Sequence, residues 1–80
     1  MLEKLLIDVR TPSEFRPYHK DGAVNIPIED IMSGELGIIA NMAKDIRIEC
    51  YCLSGSRAEV AKNVLNQFGY TNVVNLGGLY

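Results

Sequence analysis

The stretch from residue 46 to residue 69 leaves few folds open. Ile46-Arg47-Ile48-Glu49-Cys50-Tyr51 alternates apolar and polar residues as a β-strand does. Cys52-Leu53-Ser54-Gly55-Ser56-Arg57 then turns through serines and a glycine. From Arg57 to Phe68 the spacing becomes helical, with Val60, Ala61, Val64, Leu65 and Phe68 on one face, and Gly69 supplies a C-terminal stop. A strand that passes through a short loop into a helix must lay that helix back on its own sheet.

The rest of the chain repeats this logic. Leu5-Leu6-Ile7-Asp8-Val9-Arg10 reads as a strand buried on both faces. Thr11 is an N-cap, Pro12 the first helical residue and Glu14 the third member of a capping box, while Pro17 keeps that helix short. Asp21-Gly22 is a turn, residues 23–26 a short strand ended by Pro27, and residues 28–32 a single helical turn before Ser33-Gly34. Leu36, Ile39, Ala40 and Ala43 recur at helical spacing, and residues 72–76 form a last strand closed by Gly77-Gly78. Strands alternating with helices predict an α/β fold: a small, mostly parallel sheet with helices on both faces, spanning residues 1–80 as one domain. In such sheets ligands bind beyond the carboxyl ends of the strands, where Cys52 falls and where Asp8, Arg10 and Gly77-Gly78 converge.

Composition narrows the function classes. At 80 residues the core is small. The net charge of −2 comes with scattered Lys and Arg and few aromatics, which argues against nucleic acid. No basic amphipathic helix suggests membrane-surface binding, and no apolar run approaches the ~20 residues of a membrane span. The start is too charged for a signal peptide, so a cytoplasmic protein is expected; a leader removed before residue 1 would make it periplasmic instead.

Cys50 and Cys52 are too close for a routine disulfide and do not form a C-x-x-C pair. One histidine cannot complete a metal set, so neither metal nor cofactor is expected. Cys50, within the strand, reads as a small buried hydrophobe. Cys52, at a helix start, meets free N–H groups and the positive end of the macrodipole, which favour a thiolate. Arg57 adds a fixed positive charge. An inert buried thiol is the competing reading, and the Ser-Gly-Ser-Arg surroundings disfavour burial. Base-assisted acyl transfer needs a histidine, and His19 lies in a distant Pro-Tyr-His-Lys-Asp turn as a structural residue. A cysteine phosphatase uses a loop one residue longer; the four residues between Cys52 and Arg57 suit one sulfur atom better, as a persulfide held by backbone N–H donors. Ser54 and Ser56 would bond the sulfur or, at least as readily, cap the helix. Asp8 and Arg10 would line the site rim, Arg10 drawing in anions, but read more readily as a structural ion pair or hydrogen-bond set tying the first strand's end to Glu14 and the following turn; Asn25 and Pro27 read as turn residues.

Four stretches carry a family resemblance. They are residues 6–15, His19 with residues 22–27, residues 51–58 around the cysteine, and residues 69–79. Together, in this order, they resemble a single-domain rhodanese of the phage shock protein E type. The resemblance implies a thiosulfate sulfurtransferase with Cys52 as nucleophile. The N–H groups of Leu53, Ser54, Gly55, Ser56 and Arg57 would bind the sulfur, and Arg57 would fix the loop or meet an anionic donor. Thiosulfate would give up its outer sulfur, and cyanide, a thiol or a protein acceptor would take it. Leu53 stands where thiosulfate-using members often carry a basic residue, Tyr18 and Lys20 flank His19 unusually, and relatives commonly continue past Tyr80 with a helix, whose lack would open the rim near Gly77-Gly78 or leave it for a partner to cover. The alternatives are a rhodanese-fold binding or sulfur-relay module with little thiosulfate activity and, more weakly, an arsenate or phosphate-ester enzyme.

Overall fold

Four parallel strands in the order β2-β1-β3-β4 form the centre of the molecule: β1 (Lys4–Asp8), β2 (Val24–Asn25), β3 (Arg47–Tyr51) and β4 (Val73–Asn75). The coordinates come from a computed structural model that describes residues 3–79. Met1-Leu2, part of the stretch read against a signal peptide, and Tyr80, where the chain was read to stop, lie outside the described residues. Helices α1 (Pro12–Phe15), α2 (Ile28–Met32) and α3 (Ser56–Gln67) and a 3-10 helix over Gly37–Asn41 surround the sheet. The fold is the expected α/β layering with a parallel sheet.

Register explains the layering. Leu5 pairs with Ile48 and Ile7 with Cys50, so these four side chains share one face. They are buried with Val9 after β1, with Ala58, Ala61 and Leu65 on α3 and with Ile28 and Ile31 on α2. Each large side chain buried there contributes roughly 1.5–3 kcal/mol. On the other face Lys4, Leu6, Arg47 and Glu49 lie side by side. Glu49 bonds Arg47 Nε at 2.9 Å and Lys4 Nζ at 3.5 Å, and Leu6 is half-buried. Further along, Tyr51 and Asp8 are fully buried on this face, where Lys20 N donates to Tyr51 Oη at 2.9 Å. The burial expected on both faces of β1 therefore holds at its carboxyl end and lapses at Leu6, where polar neighbours replace a covering layer.

Two elements depart from the pattern read in the sequence. Leu36 and Ile39, three apart, are buried while Ala40 and Ala43 are exposed, so this segment closes as a 3-10 helix rather than an α-helix. In α3 the small residues Ala58 and Ala61 face the core with Leu65. That close approach turns the helix so that Val60 and Phe68, expected inside, are 43% and 41% exposed.

Candidate active site

Cys52 follows the last residue of β3, and the chain curls over it at once. Cys52 N donates to Gly77 O at 3.2 Å, and Leu79 N donates to Leu53 O at 3.2 Å, which ties the loop to the segment after β4. Gly55 then takes φ 99°, a left-handed conformation that side chains resist, and stands as the N-cap of α3. This turn aims Gly55 N at Cys52 Sγ, at 2.9 Å. The expectation that Ser54 or Ser56 caps the helix or bonds the sulfur is not met: their hydroxyls pair with each other at 3.2 Å, exposed, and the cap has no side-chain bond.

Cys52 has no solvent-exposed surface, contrary to the exposure its polar neighbours suggested. The residue packs with the buried core, while the loop and the start of α3 turn backbone N–H groups onto its sulfur. Burial alone pushes the thiol pKa up, but backbone N–H groups of Ala58, Ser54, Gly55 and Arg57 pull it down further, and the net result is a pKa below the ordinary thiol value. The arrangement favours the anionic sulfur through backbone N–H groups.

Distant residues hold the loop. Arg57 donates from Nη1 and Nη2 to Glu14 Oε1 and Oε2 at 2.7 and 3.1 Å. Glu14 also completes the expected capping box with Thr11. Its carboxyl is held down to about 2, first by Arg57 and then by the Thr11 backbone. On the other side, Asn75 donates from Nδ2 to Gly55 O at 3.1 Å and to Glu59 Oε1 at 3.0 Å, while its Oδ1 accepts from Gly77 N at 2.7 Å. Gly78 lies so close that a Cβ there would stand 2.4 Å from Leu53 O. The rim at Gly77-Gly78 is half-buried and pinned to the loop.

Neither Glu14 nor Asn75 was singled out as a site residue. The capping box made Glu14 visible, but its partner lies 43 positions away. Asn75 before Gly77-Gly78 carried only the signal of a turn.

The other candidates fall where their chemistry places them. Arg10 grips Asp8 through Nε and Nη2 at 2.8–3.1 Å, with both residues buried, and Nη2 also donates to Tyr18 O at 2.7 Å. This is the structural pair expected, except that it closes on Tyr18 rather than Glu14. Asn25 Nδ2 donates to Asp8 O and Arg10 O, shaping the turn. His19 stacks on Phe15 at 3.7 Å and its Nδ1 meets Phe15 O at 2.8 Å. Cys50 is buried, with a pKa raised to about 11, mainly by burial. A surface cleft of about 490 Å³, between Glu3, Met42, Ile46 and Asn72, lies at the opposite end of the sheet from Cys52. It holds none of these groups. No cluster of metal-binding side chains occurs among the described residues.

The comparisons with known proteins agree with this geometry. Residues 1–80 match the family of the rhodanese-like domain. The chain is 36% identical over 73 residues to the thiosulfate sulfurtransferase PspE of Escherichia coli, covering 91% of this chain and 68% of that one. It is 38% identical over 73 residues to the probable adenylyltransferase/sulfurtransferase MoeZ of Mycobacterium tuberculosis, of which it spans 18%. Among solved structures, a rhodanese with anions from E. coli superposes with TM-score 0.83 at 35% identity, covering 95% of this chain and 87% of that one. The chain belongs to the rhodanese-like domain family and is a sulfurtransferase.

Proposed function

We propose that this chain moves a sulfane sulfur from a donor such as thiosulfate to a thiophilic acceptor, cyanide or a thiol, through a persulfide on Cys52. The ring of N–H groups around Cys52 Sγ carries the reading. The Cys52 thiolate attacks the outer sulfur of the donor, the donor's S–S bond breaks, and the remainder leaves with the bonding pair. The charge then sits on the outer persulfide sulfur, within reach of the N–H groups of Ser54, Gly55, Arg57 and Ala58 that favour the thiolate. Arg57 fixes the loop through Glu14. A soft acceptor takes the sulfur and returns the thiolate, with no metal or cofactor. The 80 residues act as one unit, and a reducing compartment such as the cytoplasm keeps both free cysteines as thiols.

Relatives such as MoeZ carry this domain within a much longer chain, and Leu53 at the loop is 47% exposed and apolar. Those observations favour the related reading of a sulfur-relay module, in which a protein partner supplies or takes the sulfur. The test is the intact mass after exposure to thiosulfate and, separately, to benzenethiosulfonate. The expected result is a gain of one sulfur atom in the wild type and in Cys50→Ala, and none in Cys52→Ser. Absence of loading from both donors would refute the persulfide mechanism.

A further inference from the structure

The site is rich in charged residues and yet offers little net charge. Arg57, the cation nearest the loop, is engaged by Glu14 through two hydrogen bonds. Arg10 is engaged by Asp8 through both Nε and Nη2 and by Tyr18 O. Lys20 holds its ammonium 5.1 Å from the centroid of the Tyr51 ring. Each guanidinium is thus cancelled by a carboxylate at hydrogen-bond distance. The first residue past the nucleophile, Leu53, adds an apolar surface that is 47% exposed. Apart from Lys20 on the Tyr51 ring, what remains to attract an anion is the set of backbone dipoles around the sulfur.

Thiosulfate brings two negative charges to a thiolate that already carries one. Among like charges a few ångströms apart, each extra unit costs heavily unless a free cation offsets it. We infer that Leu53 and the two internally paired arginines tune this site to sulfane-sulfur donors carried on an apolar body with a single negative charge, such as organic thiosulfonates and persulfides, in preference to dianionic thiosulfate. The inference rests on the Cys52 persulfide reading. The step balances for both classes: Cys52–S⁻ and an organic thiosulfonate give Cys52–S–S⁻ and a sulfinate, and Cys52–S⁻ and thiosulfate give Cys52–S–S⁻ and sulfite. The two donors differ in one charge and in an apolar group, the properties that Leu53 and the paired arginines select.

The experiment compares the rate of single-turnover sulfur loading from benzenethiosulfonate and from thiosulfate, followed by intact mass. Each rate is divided by that of the same donor with free N-acetylcysteine thiolate, which removes intrinsic reactivity. The normalised preference for benzenethiosulfonate is expected to be about tenfold or more. Leu53→Lys should reduce that preference by about tenfold and make thiosulfate loading more sensitive to salt. Leu53→Gln, which removes the apolar surface without adding charge, should slow benzenethiosulfonate and leave thiosulfate no faster. Equal or faster normalised loading from thiosulfate in the wild type overturns the inference, as does a preference unchanged in Leu53→Lys. Either result leaves the persulfide mechanism standing. Loading from neither donor overturns both.

Discussion

Cys50 lies within β3 and Cys52 just past its end; both are fully buried, yet their thiols shift in opposite directions. Burial pushes both thiols up, and only Cys52 has N–H donors that outweigh it. Cys50 Sγ meets carbonyl oxygens, Ala58 O at 3.6 Å and Val74 O at 3.5 Å, which favour a protonated thiol. Cys52 Sγ meets N–H groups, Gly55 N at 2.9 Å among them, which favour a thiolate. Residue 58 serves both, its carbonyl toward Cys50 and its N–H toward Cys52. Burial strengthens whatever dipole it encloses; it does not by itself make a cysteine inert or reactive.

The sharpest break of this comparison is chemical. Thiolate absorbance followed against pH should show a group titrating below the ordinary thiol range in the wild type and in Cys50→Ala. Cys52→Ser should lose it entirely. With Cys50 at about 11, its thiolate fraction at pH 7 is only on the order of one in ten thousand, so it cannot substitute. A low-pH thiolate that survives in Cys52→Ser would reverse the assignment of the two thiols.

The next test moves the N–H groups instead of the sulfur. Gly78→Ala places a methyl carbon 2.4 Å from Leu53 O, so the cysteine loop or the segment after β4 must shift. Overpacking of this kind costs about 1–3 kcal/mol, a drop in Tm of several degrees for a chain this size. The Cys52 thiolate titration should move upward toward ordinary thiol values as the cradle loosens. If stability falls and the titration stays in place, the loop geometry is not what lowers the Cys52 pKa.

Glu14 provides a smaller effect with a defined sign. Its folded pKa of about 2 lies below the ordinary 4.5, so it contributes stability above the unfolded value that is lost as pH falls from about 4.5 to about 2. The Glu14 and Arg57 side chains are about one-third exposed, so screening leaves a contribution on the order of 1 kcal/mol. Glu14→Gln should be destabilised by that amount at pH 7 and should flatten the acid limb of a thermal-melt series between pH 4.5 and 2. An acid limb unchanged in the variant would show that the Arg57 pair contributes nothing to stability.

The two thiols also mark what was legible in the sequence. Alternation over residues 46–51 and the loop-to-helix change placed Cys50 inside and Cys52 at the helix start, since both signals are local. The capping box at Thr11–Glu14 was legible for the same reason. What remained hidden was set by register and long-range contact. The Glu14–Arg57 pair, the three bonds of Asn75 and the contact of Gly78 with Leu53 join residues far apart in the chain. The rotation of α3 escaped because Ala58 and Ala61 look unremarkable beside Val60 and Phe68, although close approach to the sheet selects the small pair. The burial of Cys52 escaped because the core it joins and the Gly77 segment that covers its backbone come from distant parts of the chain.

The smallest expected effect concerns the quieter thiol. Cys50→Ser replaces a weak donor by a hydroxyl that finds the same two acceptors, Ala58 O and Val74 O. The added cost of burying the hydroxyl is offset by those bonds, and the change at pH 7 should stay below about 1 kcal/mol. Alkaline pH separates the two chains. A thiol whose folded pKa is raised from 9.0 to about 11 gives up stability as pH climbs through that window, because the unfolded chain releases the proton first. Serine has no such proton to lose. Relative to the wild type, Cys50→Ser should therefore gain stability between pH 9 and 11 in denaturant melts, while sulfur loading at Cys52 persists. A stability difference that does not change across this window would mean that Cys50 is not held protonated by its burial, and the contrast between the two thiols would then rest on Cys52 alone.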